Sequence, residues 1–372
     1  MGFFKKQANA AVHLPVLNAV APPKVENWLL AGASPLLTSL LPWFSAGRAL
    51  PFARAMKNPP IYVEAHIRCP LEALWQHTQQ PELHQQWDLR FTEITYLPRP
   101  SPAEPQQFLY ATRIGFGLGV AGRGESLGTT EKNGERTSIL RFWSDEWVSL
   151  IREGAGFWKY VPTADGLRFF TKYDYQTRFG APGQWLDLLA FRPLIGWATA
   201  WSFDCLRLWL ETGQRPAISR RLGLFDWLTR ATLGAVWVYQ GVVPKLLFPD
   251  TGELSILQGA GFSAAAAHRI AAAVGVGEIL FGLLFFLLPA RRLRPVYWAH
   301  VLGLLVLGAG ALFSQPAVFV APFNPLTLNV SLMALAAGRL LLPEAILPSA
   351  SRCQRRPAAV ARVATPPLVP AV

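Results

Sequence analysis

Ile270-Ala-Ala-Ala-Val-Gly-Val-Gly-Glu278-Ile-Leu-Phe-Gly-Leu-Leu-Phe-Phe-Leu-Leu288 is an apolar run with a single acid near its centre. A bilayer core of about 30 Å requires roughly 20 apolar residues in a helix, and this run has that length. Other apolar stretches of similar length lie beside it between residues 231 and 342. The sequence therefore predicts an all-α bundle of four transmembrane helices. They are expected at about 229–248, 268–288, 295–314 and 322–342.

The composition is that of a membrane region joined to a soluble one. Of 372 residues, 51% are hydrophobic and only 16% are charged, which is too apolar for an ordinary soluble chain. The net charge of +12 is not arranged as a basic stripe with interleaved aromatics, so nucleic-acid binding is not expected. Cys69, Cys205 and Cys353 lie far apart, which predicts neither a disulfide framework nor a metal site.

The arginines predict the orientation of the four helices. Clusters precede the first helix, separate the second from the third, and follow the fourth, whereas the alternate loops carry almost no base. Lys and Arg concentrate on the cytoplasmic side of membrane proteins. The pattern predicts a multi-pass protein of the bacterial inner membrane with both termini and the soluble domain in the cytoplasm. The clusters are Arg220, Arg221 and Arg230; Arg291, Arg292 and Arg294; and Arg352, Arg355 and Arg356.

Glu278 is the candidate functional residue of the membrane region, since an ionisable group at mid-membrane is costly unless it is paired or hydrated. Helical spacing places it on a stripe of small and polar residues that should face the neighbouring helices. The stripe consists of His268, Ala271, Gly275, Glu278 and Gly282. Lys245 or His300 is the expected partner, and the alternative is a purely structural role in helix packing. The predicted polar site comprises Glu278, Lys245, His300, Tyr239, Gln240, Asn324 and Asn329.

Three motifs in this region resemble the DoxX-like family of four-helix bacterial membrane proteins. They are Trp237-Val-Tyr-Gln-Gly-Val-Val-Pro-Lys-Leu-Leu247, Gly277-Glu278 and Asn324-Pro-Leu-Thr-Leu-Asn329. The resemblance implies a four-helix membrane fold over 229–343. The family is named after a subunit associated with quinol-oxidising and thiosulfate-oxidising membrane enzymes, so a membrane oxidoreductase is one implied partner.

Residues 58–215 are predicted to form an α+β soluble domain. Ile61-Tyr-Val-Glu-Ala-His-Ile67 alternates as a strand does, and a short helix is expected at 71–78. A long apolar helix is expected at about 183–212. Further strands are predicted at 91–97, 106–116, 119–130, 136–145, 147–161 and 167–179.

This order of elements, with Pro60-Ile-Tyr-Val-Glu64 and His84-Gln-Gln-Trp-Asp-Leu-Arg-Phe91, resembles the START-like (SRPBCC) superfamily of polyketide cyclase and lipid-transfer relatives. The resemblance implies a helix-grip fold, whose curved sheet wraps the last helix and leaves a cavity for a hydrophobic ligand. Wall candidates are Phe108, Tyr110, Phe142, Trp143, Trp158, Phe170, Tyr173, Tyr175, Trp197 and Trp201. The alternative is that these aromatics are ordinary core residues.

Two local motifs have competing interpretations. His84, Trp87, Asp88 and Arg90 are close enough in sequence to form a polar cluster, although Asp88 and Arg90 could instead be a local ion pair. Gly117-Leu-Gly-Val-Ala-Gly122 matches a dinucleotide fingerprint, which requires a following helix. The residues after it favour a strand, so a hairpin turn is predicted there.

The remaining segments are predicted from composition. Residues 1–57 are expected to be a poorly ordered or interfacial extension, with Met56 as an alternative start. Residues 216–228 are predicted to be a linker. Residues 344–372 are predicted to be a disordered basic tail with affinity for anionic lipid.

These features lead to three functional hypotheses. In the first, the START-like domain binds a lipid or another hydrophobic small molecule beside the membrane, and the protein is non-enzymatic or at most weakly enzymatic. In the second, it is a quinone-linked redox subunit in which Glu278 handles a proton. In the third, it is a membrane scaffold or signalling anchor. No haem, iron–sulfur or flavin motif is evident, so no cofactor is expected.

Overall fold

A computed structural model describes residues 58–101, 103–115, 118–322 and 324–357. The described residues lie in one compact unit that begins at Asn58. The predicted N-terminal extension, 1–57, and the last part of the predicted tail, 358–372, lie outside the described residues.

Seven antiparallel strands form a single sheet in the order β1-β7-β6-β5-β4-β3-β2. The strands are β1 (Ile61–Ile67), β2 (Glu93–Tyr96), β3 (Gln106–Gly115), β4 (Leu118–Lys132), β5 (Glu135–Trp143), β6 (Ile151–Thr163) and β7 (Gly166–Thr177). Two short helices, α1 (Leu71–Gln79) and α2 (Pro81–Trp87), separate β1 from β2. A long helix follows β7, so the predicted helix-grip order is confirmed.

Tight turns set the register of the sheet. Asn133 and Gly134 connect β4 to β5 with positive φ angles of 54° and 76°, the conformation that a two-residue hairpin requires. Gly115 of β3 pairs with Leu118 of β4, so the glycine-rich segment enters a strand and not a helix. The dinucleotide interpretation fails for that reason, and the predicted hairpin is confirmed.

The long helix predicted at 183–212 is interrupted. It consists of α3 (Gly180–Leu186), a π-helical segment (Asp187–Phe191) and α4 (Arg192–Thr212). The extra residue of the π turn brings Asp187 inward, where its carboxylate accepts hydrogen bonds from the Tyr175 hydroxyl and from Arg192 Nε, both at 2.7 Å. Helix α4 then packs across β1 and ends at Gly213, whose φ of 74° turns the chain back.

The C-terminal region is helical at all four predicted spans. Helix α5 (Pro216–Gln240) continues as a π-helical segment (Gly241–Leu247), and α6 (Glu253–Gly259) is a short helix in the following connection. The other helices are α7 (Ala264–Leu287), α8 (Arg294–Ser314) and α9 (Pro325–Leu341). Helices α7 and α8 are long and apolar enough to cross a membrane, whereas α9 is shorter, with 17 residues.

The predicted linker at 216–228 is instead the first half of α5. Pro216 occupies the first turn, where its fixed φ favours a helix. Ser219 is fully buried, and Trp201 of α4 lies against Gly223. The segment is therefore helical because it packs on the soluble domain, and α5 joins the two regions without a flexible connection.

Residues 343–357, here named the C-terminal strap, return to the soluble domain. The prediction of disorder is wrong for this part of the tail. The backbones of Gln354 and Glu64 of β1 exchange two hydrogen bonds of 2.9 Å. Arg352 lies 2.8 Å from Asp204, a fully buried acid of α4. Leu347 is also buried, so the strap is ordered by a charge and an apolar contact that are distant in sequence.

Candidate functional site

An ion triad lies where the π-helical end of α5 meets α7. Lys245 Nζ is 3.1 Å from Glu278 Oε2 and 2.9 Å from Glu253 Oε1. Glu278 is only 6% exposed. The Lys245 contact to Glu278 has ion-pair distance but not hydrogen-bond geometry, so Oε2 lacks a hydrogen-bond partner among the described residues. Lys245 therefore compensates two carboxylates, one in the helical core and one at the start of α6.

Glycines let the two helices approach closely around this triad. A Cβ on Gly241 would lie 2.4 Å from the carbonyl oxygen of Gly275, and a Cβ on Gly282 would lie 2.8 Å from that of Gly234. Backbone contact of this kind is typical of helices packed through small residues. Because Gly275 and Gly282 flank Glu278 on the same face of α7, they hold its carboxylate against α5.

The other predicted members of the membrane polar site lie elsewhere. His300 Nδ1 accepts a 2.8 Å hydrogen bond from the Trp237 indole, so His300 is occupied by a different partner from the one proposed. Tyr239 is exposed and Gln240 is half-buried. The Asn324 side chain caps α9 by accepting from the Thr327 backbone at 3.1 Å.

Asn329 and His268 also lie away from Glu278. Asn329 Nδ2 lies 3.5 Å from the Leu304 carbonyl oxygen, a contact between α9 and α8. His268 is exposed, whereas Ala271, Gly275 and Gly282 of the predicted stripe are buried. Of the seven predicted polar residues, the structure brings only Glu278 and Lys245 into contact.

In the soluble domain, His84, Asp88 and Arg90 form a compact buried cluster. Arg90 donates to both oxygens of Asp88, at 2.9 Å from Nε and 2.6 Å from Nη2. His84 Nε2 lies 3.1 Å from Asp88 Oδ2, and Trp87 stacks on the His84 ring. Arg90 also lies over the Tyr173 ring of β7. The Asp88–Arg90 ion pair, which was the alternative interpretation of the sequence, is therefore present within the cluster. Through Tyr173, Arg90 connects the segment between α2 and β2 to the sheet.

The electrostatics of this cluster follow from burial and from Arg90. Burial alone would raise the pKa of Asp88, but the charge and hydrogen bonds of Arg90 exceed that effect and hold the pKa well below its ordinary value. Burial lowers the pKa of His84 even though Asp88 opposes the shift. Since Arg90 already neutralises Asp88, we assign a neutral His84 that donates Nε2–H to the carboxylate.

The predicted cavity aromatics divide between the two faces of the sheet. Trp158, Tyr173 and Tyr175 are buried on the inner face, within the packed core under α4. Phe108, Tyr110 and Phe142 are half-buried, and the antiparallel register places them on the inner face. Trp143 and Phe170 belong to the outer face because side chains alternate along a strand. Trp143 and Phe170 therefore cannot line an inner cavity, and that part of the prediction is wrong.

The last two wall candidates belong to α4. Trp197 is exposed, and Trp201 is buried against α5.

Glycines on the strands next to Phe108 and Phe142 leave room for these half-buried rings on the inner face of the sheet. A Cβ on Gly124 would lie 2.2 Å from the Phe108 ring, and one on Gly154 would lie 2.5 Å from the Phe142 ring. These rings therefore lie flat over neighbouring strands. They form an apolar surface on the part of the sheet from β5 to β3, whereas α4 packs on β1.

A buried polar network at the π turn was missed by sequence reasoning. Arg192 binds Asp187 at 2.7 Å and Asp174 at 2.9 Å, while Tyr175 donates to Asp187. Burial raises the pKa of Asp174 despite the arginine. The one available signal was an acid within an otherwise apolar helical run. Tyr175 and Asp174 of the network belong to β7, so sequence spacing could not identify them, although Arg192 is only five residues from Asp187.

A second feature absent from the predictions is a set of exposed large apolar side chains, here named the apolar rim. The rim comprises Trp147, Val148, Phe179, Trp185, Leu188, Leu189, Leu194 and Trp197. Trp147 is 77% exposed and Leu189 is 71% exposed. The β5–β6 loop, the end of β7 and the start of α4 all lie at one end of the sheet, so the rim occupies that end.

The direction of α5 relative to the rim follows from one contact. Helices α4 and α5 are joined through Gly213, and Trp201 of α4 lies against Gly223 of α5. At residue 223, α5 has therefore run back from Gly213 toward the start of α4, the end at which the rim lies.

Among the residues that the structure describes, no group of three or more His, Cys, Asp or Glu side chains is placed to hold a metal ion. The three cysteines of these ranges are free thiols, and Cys205 and Cys353 are buried.

Comparison with known proteins matches the helical region to the DoxX-like family over residues 234–337. The uncharacterised membrane protein YndG of Bacillus subtilis is 46% identical over 205 residues, which cover 54% of this chain and 76% of YndG.

Among solved structures, the STAR-related lipid transfer protein of Xanthomonas axonopodis is 14% identical, with 41% of this chain and 85% of that chain covered and a TM-score of 0.32. The Zhui aromatase/cyclase of Streptomyces sp. R1128 is 9% identical, with 37% and 87% covered and a TM-score of 0.30. The fold assignment rests on the strand order and the long helix. The chain belongs to the family of the membrane protein YndG, with a helix-grip region followed by a helical region that matches the DoxX-like family.

Proposed function

We propose that this membrane protein holds its START-like domain against the bilayer surface, where the domain binds a lipid or another hydrophobic molecule. The observation that carries the proposal is the apolar rim, a set of large apolar side chains exposed at the end of the sheet toward which α5 runs back from Gly213 on its way to the apolar helices. A soluble surface rarely exposes so many large apolar side chains together, and such patches mark protein or membrane contacts.

The chemistry of the rim supports a lipid surface as its partner. Trp147 and Trp185 are amphipathic side chains of the kind that concentrates at the boundary between headgroups and hydrocarbon. Leu188 and Leu189 lie in the π segment, which the buried Asp187 holds in place. The apolar side chains are therefore presented from a fixed backbone, which lowers the entropy lost on docking.

The half-buried aromatics of the inner face are the proposed ligand surface. Phe108, Tyr110 and Phe142 lie toward the open half of the sheet, and Tyr110 donates to the carbonyl oxygen of Trp143 near the β5–β6 loop. That loop carries Trp147 of the rim. A hydrophobic molecule leaving the bilayer at the rim would therefore reach these rings without crossing water.

We further propose that α5 with its π extension, α7, α8 and α9 all span the membrane, with the START-like domain in the cytoplasm. The arginines in the first half of α5 and in the connection between α7 and α8 support this orientation. The rim would then contact the cytoplasmic leaflet.

Docking is tested with the full chain in liposomes after substitution Leu189→Cys and labelling with a polarity-sensitive fluorophore. Both labelled variants carry Cys69→Ser because Cys69 is partly exposed, and since Cys205 and Cys353 are buried, the new thiol should react preferentially. We expect a blue-shifted emission from position 189 and a water-like emission from a matched label at Asn133→Cys, in the turn at the other end of β5. Equal, water-like emission from both positions would exclude membrane docking.

Ligand binding is tested by mass spectrometry of lipids that copurify with the full chain. Phe142→Ala removes an inner-face ring, whereas Phe170→Ala removes an outer-face ring of the same type. We expect Phe142→Ala to reduce the bound apolar molecule severalfold and Phe170→Ala to leave it unchanged. An equal effect of both substitutions would count against the inner face as the binding surface.

The quinone-linked and scaffold hypotheses remain alternatives. For the redox role, Glu278 retains Lys245 as a neighbour but lacks His300, which is bound to Trp237. That arrangement supports an ion pair more directly than a proton relay. Glu278→Gln should leave lipid copurification unchanged under the proposed function and abolish quinone-dependent turnover under the redox alternative.

A further inference from the structure

An open groove runs between α8 and α9, away from the START-like domain's aromatic surface. Its volume is about 570 Å³, within the range of small-molecule sites. Its lining includes Arg294, Trp298 and Val301 of α8 and Val330, Ala334 and Leu341 of α9. The groove is apolar except at Arg294, so it has a cationic end and an apolar body.

The cationic end lies where the chain would meet the membrane boundary. Arg294 is the first residue of α8, directly after the exposed Arg291 and Arg292. Trp298 follows one turn later and is 58% exposed. Arginine and tryptophan concentrate at the interface between headgroups and hydrocarbon. The groove therefore descends from the interface into the apolar layer.

The length of the groove corresponds to one leaflet. Helices α8 and α9 run antiparallel, as the contacts of His300 with Leu332 and of Asn329 with Leu304 show. From Leu341 at the basic end to Val330, α9 rises about 16 Å at roughly 1.5 Å per residue. Half of a hydrocarbon core of about 30 Å is about 15 Å. An acyl chain of a single leaflet therefore matches the groove in depth.

We propose that this groove binds an acyl chain of an anionic phospholipid and that Arg294 binds its phosphate. A guanidinium donates two parallel hydrogen bonds to phosphate oxygens. In a zwitterionic headgroup, the lipid's own cation would weaken the attraction between this phosphate and Arg294. A second copy of the chain is a poorer occupant, because the groove lining holds no carboxylate to pair with Arg294. The site belongs to the helical region and does not rest on ligand binding by the START-like domain.

The proposal is tested with the full chain in nanodiscs of phosphatidylcholine that contain phosphatidylglycerol with a photoreactive diazirine in its acyl chain. A parallel sample carries the diazirine on phosphatidylcholine, and labelled peptides are mapped by mass spectrometry. We expect phosphatidylglycerol to label the peptides of Val301 and Ala334 about fivefold more than phosphatidylcholine does. This factor corresponds to about 1 kcal/mol for one basic residue near the surface.

Variants separate the site from general attraction to the arginine loop. Arg294→Gln should abolish the preference, whereas Arg292→Gln, an exposed charge of the same loop outside the groove, should preserve it. Ala334→Trp should fill the groove and remove its labelling while labelling elsewhere on the helices persists. Equal labelling by both lipids, or a preference that survives Arg294→Gln, would overturn the proposal. So would efficient crosslinking between two chains through Ala334→Cys, which would identify a second copy as the occupant.

Discussion

Lys245 is the residue on which the charge balance of the helical region depends. It lies between Glu278 and Glu253, and its side chain is only 9% exposed. Removing the only cation of such a group leaves buried carboxylates without compensation. Breaking a buried pair on one side typically costs about 3–5 kcal/mol, whereas replacing both partners by apolar groups is often neutral.

We therefore predict that Lys245→Met destabilises the protein by about 3 kcal/mol or more. Adding Glu278→Leu to Lys245→Met should restore most of the loss, because the acid that remains, Glu253, has a partly exposed side chain that water can solvate. Thermal unfolding of the purified protein in detergent measures both effects. A double variant as unstable as the single one would contradict a role for the ion pair.

A second residue-scale prediction concerns the acid sensitivity of the helix-grip region. Burial lowers the pKa of folded His84 below the unfolded value of about 6.5, so the unfolded chain binds a proton that the folded chain does not. Stability should therefore fall as the pH decreases through about 6.5, by at most about 1.4 kcal/mol per pH unit from this group.

His84→Gln should flatten that part of the stability profile, and His66→Gln, an exposed control, should not. Denaturant unfolding monitored at a series of pH values provides the measurement. Asp88 adds a separate loss at lower pH. Because its folded pKa is depressed, its contribution is present above the unfolded value of about 3.9 and disappears as the pH falls below that value.

At the residue scale, the sequence identified a candidate site residue more reliably than it identified the partner of that residue. The isolation of Glu278 in an apolar run was visible, and Lys245 was one of two expected partners. His300 could not be separated from Lys245 by spacing, because the direction of each side chain depends on how the helices pack. Its hydrogen bond with Trp237 depends on that packing.

Among the elements, the contact between α5 and α7 is set by glycines. We predict that Gly241→Ala destabilises the helical region by about 1–3 kcal/mol, since the added Cβ would lie 2.4 Å from a carbonyl oxygen of α7. Gly277→Ala is the matched control on α7, because a Cβ there meets no atom within 4 Å. It should be neutral or slightly stabilising, as alanine favours a helix over glycine.

Thermal unfolding in detergent distinguishes the two substitutions. Equal melting temperatures for Gly241→Ala and Gly277→Ala would mean that the helices can separate without cost. The same comparison also tests whether the close approach observed around Glu278 is needed to hold that acid.

Periodicity identified most elements because their patterns are local. The apolar run of α7 and the alternation of β1 both appear where they were expected. The π turn after α3 was not predictable in this way, because the Asp187 carboxylate is bound by Tyr175 of β7, which no local pattern places beside it. The division of Phe142 and Trp143 between the two faces, in contrast, followed from strand alternation and could have been deduced from the sequence.

For the whole molecule, the C-terminal strap connects the end of α9 to the soluble domain. Arg339 near the end of α9 is 2% exposed and binds Asp226 of α5 and Glu344 of the strap. Arg352 then reaches the buried Asp204. Composition alone suggested disorder here, because alanine, proline and arginine favour it, while the ordering partners lie in α4 and β1.

We predict that a chain ending after Pro343 unfolds in two separate transitions and that a chain ending after Pro357 unfolds in one. The shorter chain lacks the contacts to Asp204 and to the edge of β1, whereas the longer chain retains them. Differential scanning calorimetry in detergent measures the difference, with an expected loss of several degrees for the soluble domain. Identical profiles would show that the strap does not couple the two regions.

The pairing of Gln354 with Glu64 also has a consequence for biosynthesis. β1 leaves the ribosome early and Gln354 leaves it late, so the edge of β1 stays uncovered while every apolar helix is being inserted. An uncovered sheet edge is a site for pairing with other chains. The soluble domain can therefore be completed only after translation of the helical region has ended, and a truncated product would carry an open edge that chaperones and proteases can recognise.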